Sequence, residues 1–412
     1  MGQQRLPLLP VADARARIVA AVLPTPPETV SLARAGGRVL ARDVVARVTQ
    51  PPANVSAMDG YAVRGEDTIE IPTRLKQVGA APAGAAFDGE VGAGEAVRIF
   101  TGGPLPRGTD TIIIQENVDV EGAWITIREP AARGTYVRPA GLDFRAGDVG
   151  VPAGTIMSPR NVGLAAAMNV PWLEVRRRPR VALLATGDEI VRPGDPIGPN
   201  QIVSSNALAM AAFIRAHGAE PIDLGIALDN SQSLATMAEG VRGADLLVTM
   251  GGASVGDHDL VQAVLAERGL EVDFWRIAMR PGKPLMFGNL QGVPMIGVPG
   301  NPVSSLVCAL IFVLPALQAL LGLPDDPQRI QRRAVLGIDL PANDEREDYL
   351  RAVITIDGAG SRIVTPFQKQ DSSMLTLLSQ ADCLAIRPPY APAAKAGEAI
   401  EIIELDASSW TL

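Results

Sequence analysis

Cysteine and histidine are scarce in this chain of 412 residues. The two cysteines are Cys308 and Cys383, they form no CxxC pair, and the two histidines are His217 and His258. These counts argue against a disulfide framework, a structural zinc site and a histidine-rich metal site. A chain with so little cysteine fits the reducing cytosol.

Positive charge is also in short supply. The chain has 37 Lys and Arg against 45 Asp and Glu, which gives a formal net charge of −8. This balance argues against bulk nucleic-acid binding, although a local basic cluster can still bind a small anion. The first residues, Met1 to Arg5, lack the apolar stretch of a signal peptide. We therefore expect a cytoplasmic protein that does not bind nucleic acid.

One segment lacks charge altogether. Residues 303–323 contain no charged side chain, and the segment is long enough to span a bilayer. However, it begins with Pro302 as a helix start, contains Pro315, and has no positively charged flanks. We expect a buried core helix, with a membrane segment as the alternative.

The chain is too long for one ordinary core. It is 47% hydrophobic and 20% charged, which is typical of a folded protein that buries large cores. A helix over 158–169 is expected to pack with an N-terminal helix over 11–23. The expected parts are a discontinuous helical and linker domain (1–45 with 147–178), a β-rich domain (46–146), an α/β domain (179–328) and a small β barrel or sandwich (329–412).

Short β runs, separated by clusters of Gly, Pro and Asp, characterise the second and last parts. Strands are expected at 96–100, 111–115, 123–128 and 136–138, and again at 334–340, 349–356, 362–366, 383–387 and 399–405. Polar groups that a ligand could meet stand in three loops of the β-rich part, at Asp59, at Thr101, and at Arg138 with Asp143. Each loop also fits a plain turn.

Strands and helices alternate regularly after Pro179, which predicts a parallel α/β sheet. The expected strands are 181–185, 221–227, 246–250, 272–277 and 295–298, with helices at 204–217, 231–241 and 260–268. Residues 246–259 form the central stretch: a buried strand, a glycine-rich turn, and an acidic helix start. Ligands of such sheets bind beyond the carboxyl ends of the strands, and helix starts favour anions. A plain strand-to-helix connection is the alternative.

Polar turns follow four of the predicted strands. They contain Asp188 and Glu189; Asp229; Ser254, Asp257 and Asp259; and Ser304 and Ser305. Because parallel strands end at one edge of a sheet, these groups are expected to converge on a phosphorylated or otherwise anionic ligand, together with Mg²⁺. Lys283 and Arg280 add positive charge. Each carboxylate alone also fits a helix cap or a solvated side chain.

Two common catalytic patterns are missing. The glycine turn at 251–256 has no GK[ST] ending, which argues against ordinary nucleoside triphosphate hydrolysis by a P-loop. There is no GxSxG elbow either. His258, between two aspartates, fits a helix-start residue better than a catalytic base.

Six motifs nevertheless resemble a known family, molybdopterin molybdenumtransferase, which includes the gephyrin E domain. They are Ser56-Ala-Met-Asp-Gly-Tyr-Ala-Val63, Phe100-Thr-Gly-Gly-Pro-Leu-Pro106, Thr186-Gly-Asp-Glu-Ile190, Gly251-Gly-Ala-Ser-Val-Gly256, Arg280-Pro-Gly-Lys-Pro284 and Pro299-Gly-Asn-Pro-Val-Ser304. They stand in the family's order across nearly the whole chain. Any one of them is weak, but together they are highly specific.

The resemblance implies a multidomain fold of class α/β plus β. Its parts would be a molybdopterin-binding-like three-layer α/β domain, a β-rich second domain and a C-terminal small β barrel. It also implies a homodimer whose cleft lies between the α/β domain of one chain and the second domain of its partner. The implied reaction inserts molybdate into adenylylated molybdopterin and releases AMP, with Mg²⁺.

The resemblance also implies site residues. The second domain would contribute Asp59, Thr101, Arg138 and Asp143, of which Asp59 and Asp143 are catalytic candidates. Glu189, Asp229 and Asp259, which are also catalytic candidates, would line the pterin-nucleotide side, with Glu189 and Asp259 as Mg²⁺ ligands. The motifs also indicate substrate contacts at Ser254, Pro299 and Pro302.

The implied oxyanion pocket for molybdate contains Lys283 as a catalytic candidate. Its other members would be Pro284, Ser304, Arg351 and Ser372. Arg351 and Ser372 depend on shorter matches, Glu347-Asp-Tyr-Leu-Arg351 and Gln370-Asp-Ser372. Arg280, also a substrate-binding candidate, stands where many relatives have lysine, so a planar fork replaces a point charge.

Two other functions remain open. One is an adenylyltransferase of the same fold, which activates molybdopterin with ATP; the extra β domains and the Asp59 loop argue against it. The other is a non-catalytic pterin-binding scaffold. An upstream adenylyltransferase is a candidate partner, and the sequence does not distinguish molybdate from tungstate.

Overall fold

The computed structural model describes residues 8–82, 84–251, 260–324 and 331–405. The chain forms two compact units. The large unit comprises Met1–Glu28 and Arg176–Leu412, and the small unit comprises Thr29–Val175. The α/β and C-terminal motifs therefore lie in the large unit, and the Asp59 loop lies in the small unit.

A six-stranded sheet forms the centre of the large unit. In spatial order its strands are Glu220–Ala227, Arg180–Thr186, Leu246–Met250, Val293–Val298, Met286–Leu290 and Leu270–Trp275. The first four are parallel, and the last two pair antiparallel to their neighbours. Four of the five predicted strands are confirmed as parallel, so the turns that follow them meet at one edge of the sheet. The fifth, predicted at 272–277, is present as Leu270–Trp275 but pairs antiparallel with Met286–Leu290.

Both faces of this sheet are buried. Along the second strand, Val181, Leu183 and Ala185 belong to one hydrophobic core, while Ala182 and Leu184 belong to another. Alternating side chains of a strand point to opposite faces, and double burial explains why the strand reads as a continuous apolar run. The first core includes the helices Val11–Ala21, Asn206–Ala216, Pro302–Cys308 and Leu314–Leu320, and the second includes Ser231–Ala238 and Leu260–Glu267. The three-layer α/β arrangement is confirmed.

The uncharged segment is a core helix. Pro302–Leu320 is long and apolar enough to cross a membrane, but 83% of its most apolar window is buried inside the protein. A π-helical turn, Ala309–Val313, interrupts it and ends two residues before Pro315. Proline has no N–H to donate inside a helix, and a widened turn is one way in which a helix accommodates that break.

The C-terminal part forms a closed β barrel. Its five strands are Gln331–Leu336, Glu347–Ile356, Arg362–Pro366, Cys383–Arg387 and Ala399–Glu404. The barrel closes because the long second strand pairs with both the third and the fourth. Met279–Arg280 adds a short parallel pairing beside Glu347 and Asp348. The barrel prediction is confirmed, and the Arg280 turn is attached to it.

The small unit contains a second six-stranded sheet. Its spatial order is Thr111–Ile114, Gly60–Val63, Glu95–Ile99, Thr73–Ala81, Trp124–Ile127 and Val118–Glu121. The β-rich prediction is confirmed, but three of the strands do not appear among those predicted: Gly60–Val63, Thr73–Ala81 and Val118–Glu121. Shorter strands pair Val44–Val45 with Val149–Val151 and Val55–Ser56 with Val137–Arg138.

The expected pairing of two helices is wrong. Pro159–Ala167 begins as predicted, with the Ser158 hydroxyl accepting from the amide of Asn161. Its buried Ala165 belongs to a core of the small unit. The helix Val11–Ala21 instead packs in the α/β core through Val11, Ala14 and Ile18, because its apolar stripe complements the long apolar helix there.

Candidate functional site

The three polar loops predicted in the β-rich part come together in the small unit. Ser56 donates its amide to the carbonyl of Gly103 at 2.9 Å, and its own carbonyl accepts from Gly102 at 2.9 Å. The strand pairing places Val137 opposite Ser56. Gly141 donates to the carbonyl of Pro51 at 2.9 Å. These backbone bonds hold the 50–59, 101–106 and 138–143 loops in one cluster.

Asp59 and Thr101 are direct partners in this cluster. One carboxylate oxygen of Asp59 accepts from the Thr101 amide at 2.7 Å and from its hydroxyl at 2.8 Å. The amide bond, then the hydroxyl bond and the charge of Arg98, hold the pKa of Asp59 below its ordinary value. The carboxylate therefore stays ionised, which suits a charged ligand contact better than proton donation.

Arg138 and Asp143 complete the small-unit set. The strand pairing places Arg138 opposite Val55, and the amide of Asp143 donates to Gln50 at 3.0 Å. Both side chains are exposed, like those of Asp59 and Thr101. The four predicted residues of this domain therefore lie on one group of loops with their side chains open to a ligand.

The strand-end turns of the large unit pack closely. The amide of Gly251 donates to the carbonyl of Val298 at 3.2 Å. Gly251 has a φ of 98°, and a Cβ atom there would lie 2.6 Å from the carbonyl oxygen of Thr186. Only glycine permits this approach. The parallel strands Arg180–Thr186, Leu246–Met250 and Val293–Val298 therefore end side by side.

Acidic groups gather at this edge. The amide of Asp229 donates to a carboxylate oxygen of Asp188 at 3.0 Å. Burial raises the pKa of Asp229, and the negative charges of Asp188 and Glu189 raise it further. The predicted convergence of these three side chains is thus present. Such crowding of negative charge favours a nearby cation or a proton.

The negative charge at this edge bears on whether the site could hold Mg²⁺. In the described part of the chain, no set of three or more His, Cys, Asp and Glu side chains is arranged to hold a metal. Mg²⁺ commonly uses only one or two carboxylates, with water and substrate phosphates as its other ligands. The acidic edge fits that type of binding. Ser254, Asp257, His258 and Asp259 lie outside the described residues.

Arg351 is a buried cation with neutral partners. Its residue is only 1% exposed. The guanidinium donates to the side-chain oxygen of Gln370 at 3.2 Å and to the carbonyl of Asp371 at 2.8 Å. Burial lowers its pKa, and the negative charge of the nearby Asp371 carboxylate opposes this shift. The guanidinium hydrogen bonds only to neutral oxygens, and its burial is costly for a charged group, so this site favours an additional anion.

Ser372 joins Arg351 to the start of the core helix. Its hydroxyl accepts from the side chain of Asn301 at 3.0 Å, and its carbonyl accepts from the amide of Val303 at 3.1 Å. Ser304, in the first helical turn, is 4% exposed. Because Arg351 bonds to Asp371, the residue before Ser372, these contacts link the guanidinium to the hydroxyl and to the helix N-terminus beside Pro302. Pro299 is buried in the preceding turn.

Lys283 projects from a turn that packs on the same helix. A Cβ atom on Gly282 (φ 119°) would lie 2.7 Å from the Cys308 sulfur, so glycine is required for this contact. The carbonyl of Lys283 accepts from Ile277 at 3.0 Å. Its side chain is exposed, and Pro284 after it is half-buried. The backbone is thus fixed while the ammonium remains accessible.

An open cleft of about 470 Å³ lies beside this turn. Its lining residues are Lys283, Asp344, Glu345, Arg346 and Tyr390. All five belong to the large unit, and four come from the barrel. The sequence had indicated only Lys283 among them.

Arg280 is engaged by the barrel. Its guanidinium forms a fork on the carboxylate of Asp348, with one bond of 2.7 Å, and donates to Asp344 and Asn343 at 3.2 Å each. Burial raises the pKa of Asp348, and the Arg280 charge opposes this. The planar fork of arginine suits this geometry. No single motif had indicated these partners, since they stand more than 60 positions away.

Three family models match successive parts of the chain. They are described as the MoeA N-terminal region (domain I and II) at residues 9–169, a probable molybdopterin binding domain at 182–319, and the MoeA C-terminal region (domain IV) at 333–405. Together they include every candidate residue in both units.

Individual relatives agree with these matches. The molybdopterin molybdenumtransferase of Nostoc sp. is 35% identical over 391 residues, covering 92% of this chain and 88% of the relative. That of Haemophilus influenzae is 33% identical, covering 96% and 98%. A molybdopterin biosynthesis MoeA protein of Pyrococcus horikoshii has a similar structure, with a TM-score of 0.86, 31% identity and coverage of 97% and 100%. The chain therefore belongs to the molybdopterin molybdenumtransferase family.

Proposed function

We propose that this protein is a cytoplasmic transferase that inserts molybdate into adenylylated molybdopterin and releases AMP. The observation that carries the proposal is the site of Arg351. A buried guanidinium whose hydrogen-bond partners are neutral oxygens, linked through Asp371 to the Ser372 hydroxyl and a helix start, suits a small oxyanion. The names of the relatives support molybdate as that anion.

The chemistry requires two anions to approach each other. Molybdate and the phosphoanhydride of the substrate repel, and nearby cations lower this repulsion most where water is excluded. Arg351 would bind and orient the oxyanion. Lys283, exposed on its rigid turn, would stabilise the bound oxyanion as the substrate phosphate approaches.

The proposal includes Mg²⁺, which would bind at the acidic edge of the sheet. Glu189 and Asp259 are the proposed ligands, and the raised pKa of Asp229 marks the adjoining concentration of negative charge. When bound, the ion would reduce the charge of the phosphate group that leaves with AMP. Chelation of Mg²⁺ should therefore slow AMP release, and added Mg²⁺ should restore it.

A homodimer is also proposed. Asp59, Thr101, Arg138 and Asp143 form an exposed polar set on the small unit. We assign this set to the active cleft of a second copy of the chain, where it would contact the pterin nucleotide. An upstream adenylyltransferase is the proposed supplier of that nucleotide, because the substrate must arrive already adenylylated.

The test is AMP release by purified protein from adenylylated molybdopterin, with Mg²⁺ present and molybdate varied. We expect release to rise with molybdate and to saturate. Tungstate in parallel reactions gives the oxyanion preference. Pterin binding without release would indicate a scaffold, and ATP-dependent adenylylation of free molybdopterin would indicate the earlier step instead.

A further inference from the structure

Tyr390 has an unusual backbone conformation. It occupies the third position of a turn in which the Ala391 amide donates to the carbonyl of Pro388 at 3.2 Å. Its φ is 58°. A turn that requires a positive φ at this position normally contains glycine or asparagine, because a larger side chain makes the conformation unfavourable.

The neighbouring barrel loop holds this turn in place. The Tyr390 amide donates to the carbonyl of Asp344 at 2.7 Å. The Asn343 side chain donates to the carbonyls of Arg387 and Pro388 at 3.0 and 2.9 Å. Arg280 in turn donates to the Asn343 side-chain oxygen at 3.2 Å. An unfavourable backbone conformation persists only where surrounding contacts hold it in place, as these hydrogen bonds do. Residues with such conformations occur most often at ligand-binding sites.

Packing does not account for the tyrosine. Its residue is 75% exposed, so the ring contributes little buried area to the fold. The ring instead lines the open cleft that also contains Lys283. A glycine would form the same turn at lower cost, yet the chain places a large aromatic surface there.

The charges of the cleft suggest what this ring meets. The Asp344 carboxylate is paired with Arg280 and Arg346. Lys283 and Glu345 are exposed. Lys283 can bind a phosphate, and the carboxylate of Glu345 can accept from ring N–H groups. A planar, nitrogen-rich heterocycle that carries a phosphate satisfies all three side chains at once.

We propose that Tyr390 is a binding residue whose ring stacks on a planar heterocycle of the substrate, either the pterin or the adenine. This inference rests on the proposed function for the identity of the substrate. Stacking of a base on an aromatic side chain typically changes affinity by about tenfold or more. The ring would then hold the nucleotide with its phosphates towards Lys283.

The test compares Tyr390→Gly, which removes the ring and relieves the backbone, with Tyr390→Phe, which keeps the ring. Tyr390→Asn is a second ring-less variant that tolerates a positive φ. In the AMP-release assay, the KM for adenylylated molybdopterin should rise about tenfold in the Gly and Asn variants and stay near wild type in Phe. The KM for molybdate should not change. Gln291→Gly, at another positive φ (53°) in a hairpin turn, is the control and should leave both unchanged.

Equilibrium binding shows which heterocycle of the substrate stacks on Tyr390, and it tests this inference separately from the proposed function. AMP and molybdopterin are used as separate probes with wild type and Tyr390→Gly. A Kd that rises only for AMP indicates adenine stacking, and one that rises only for molybdopterin indicates pterin stacking. Unchanged Kd values for both probes overturn the inference. Ring-dependent binding by a protein that releases no AMP would refute the proposed function and leave the stacking intact.

Discussion

Replacing Arg351 with methionine should greatly weaken molybdate use. The substitution keeps much of the side-chain length but removes the buried charge. Losing one partner of a buried charge pair typically costs about 2–5 kcal/mol. A loss of about 3 kcal/mol corresponds to a decrease of about 100-fold in kcat/KM for molybdate.

The structure indicates that Arg351→Met has only a small effect on the free energy of unfolding. The methionine leaves only the carbonyl of Asp371 without its donor, because the oxygen of Gln370 keeps the backbone amide of residue 351 at 3.0 Å. A buried carbonyl without its donor costs about 1–3 kcal/mol. Burial disfavours the charged form of Arg351, so removing this cation offsets part of that cost. The free energy of unfolding should therefore fall by less than about 2 kcal/mol.

The assay is AMP release at limiting molybdate, with urea unfolding of the same samples. Arg387→Met is the matched control, because Arg387 is also a buried barrel arginine (8% exposed) that donates to backbone carbonyls. It should lose stability without a change in the KM for molybdate. Arg351→Lys should recover part of the activity, since it restores charge but not the fork. Wild-type molybdate dependence in Arg351→Met would refute the assigned role.

Three further results are expected. Lys283→Ala should raise the KM for molybdate about tenfold or more without a change in the free energy of unfolding. Activity equal to that of the wild type at limiting molybdate would exclude the role of Lys283. Asp59→Ala and Lys283→Ala chains, each impaired alone at limiting molybdate, should regain activity when they are mixed into heterodimers if the cleft is shared. No recovery in verified heterodimers would count against sharing. The Arg346 bond holds the pKa of Asp344 at about 2 against an ordinary 3.8, so its stabilisation is complete above about pH 4 and lost as pH falls through about 2. Acid unfolding should lose that pH dependence in Asp344→Asn.

Much of the α/β domain was predictable because its strands are buried on both faces. The residues 246–250 read as one apolar run, and the alternation with helices indicates parallel strands. Met286–Leu290 and Thr73–Ala81 were harder to predict. The first contains Gly288 and Asn289, and the second mixes charged and apolar residues without strict alternation. Their strand conformation depends on neighbours in the sheet.

The candidate site was predictable where it consists of local turns. Asp59, Asp188 and Asp229 stand in glycine-containing or strand-end turns that are visible in the sequence. The pairing of Arg280 with Asp348 joins residues 68 positions apart, and the burial of Arg351 depends on closure of the barrel. The positive φ of Tyr390 is also set by contacts with a distant loop, so no local pattern reveals it.

The most direct test of the proposed function measures molybdenum in the pterin product. Wild-type protein, adenylylated molybdopterin, Mg²⁺ and molybdate are incubated, and the pterin fraction is separated and analysed for molybdenum and AMP. The account predicts equal amounts of bound molybdenum and released AMP, both strongly reduced in Arg351→Met. AMP release without molybdenum in the pterin, or neither product from protein that binds the substrate, would contradict it.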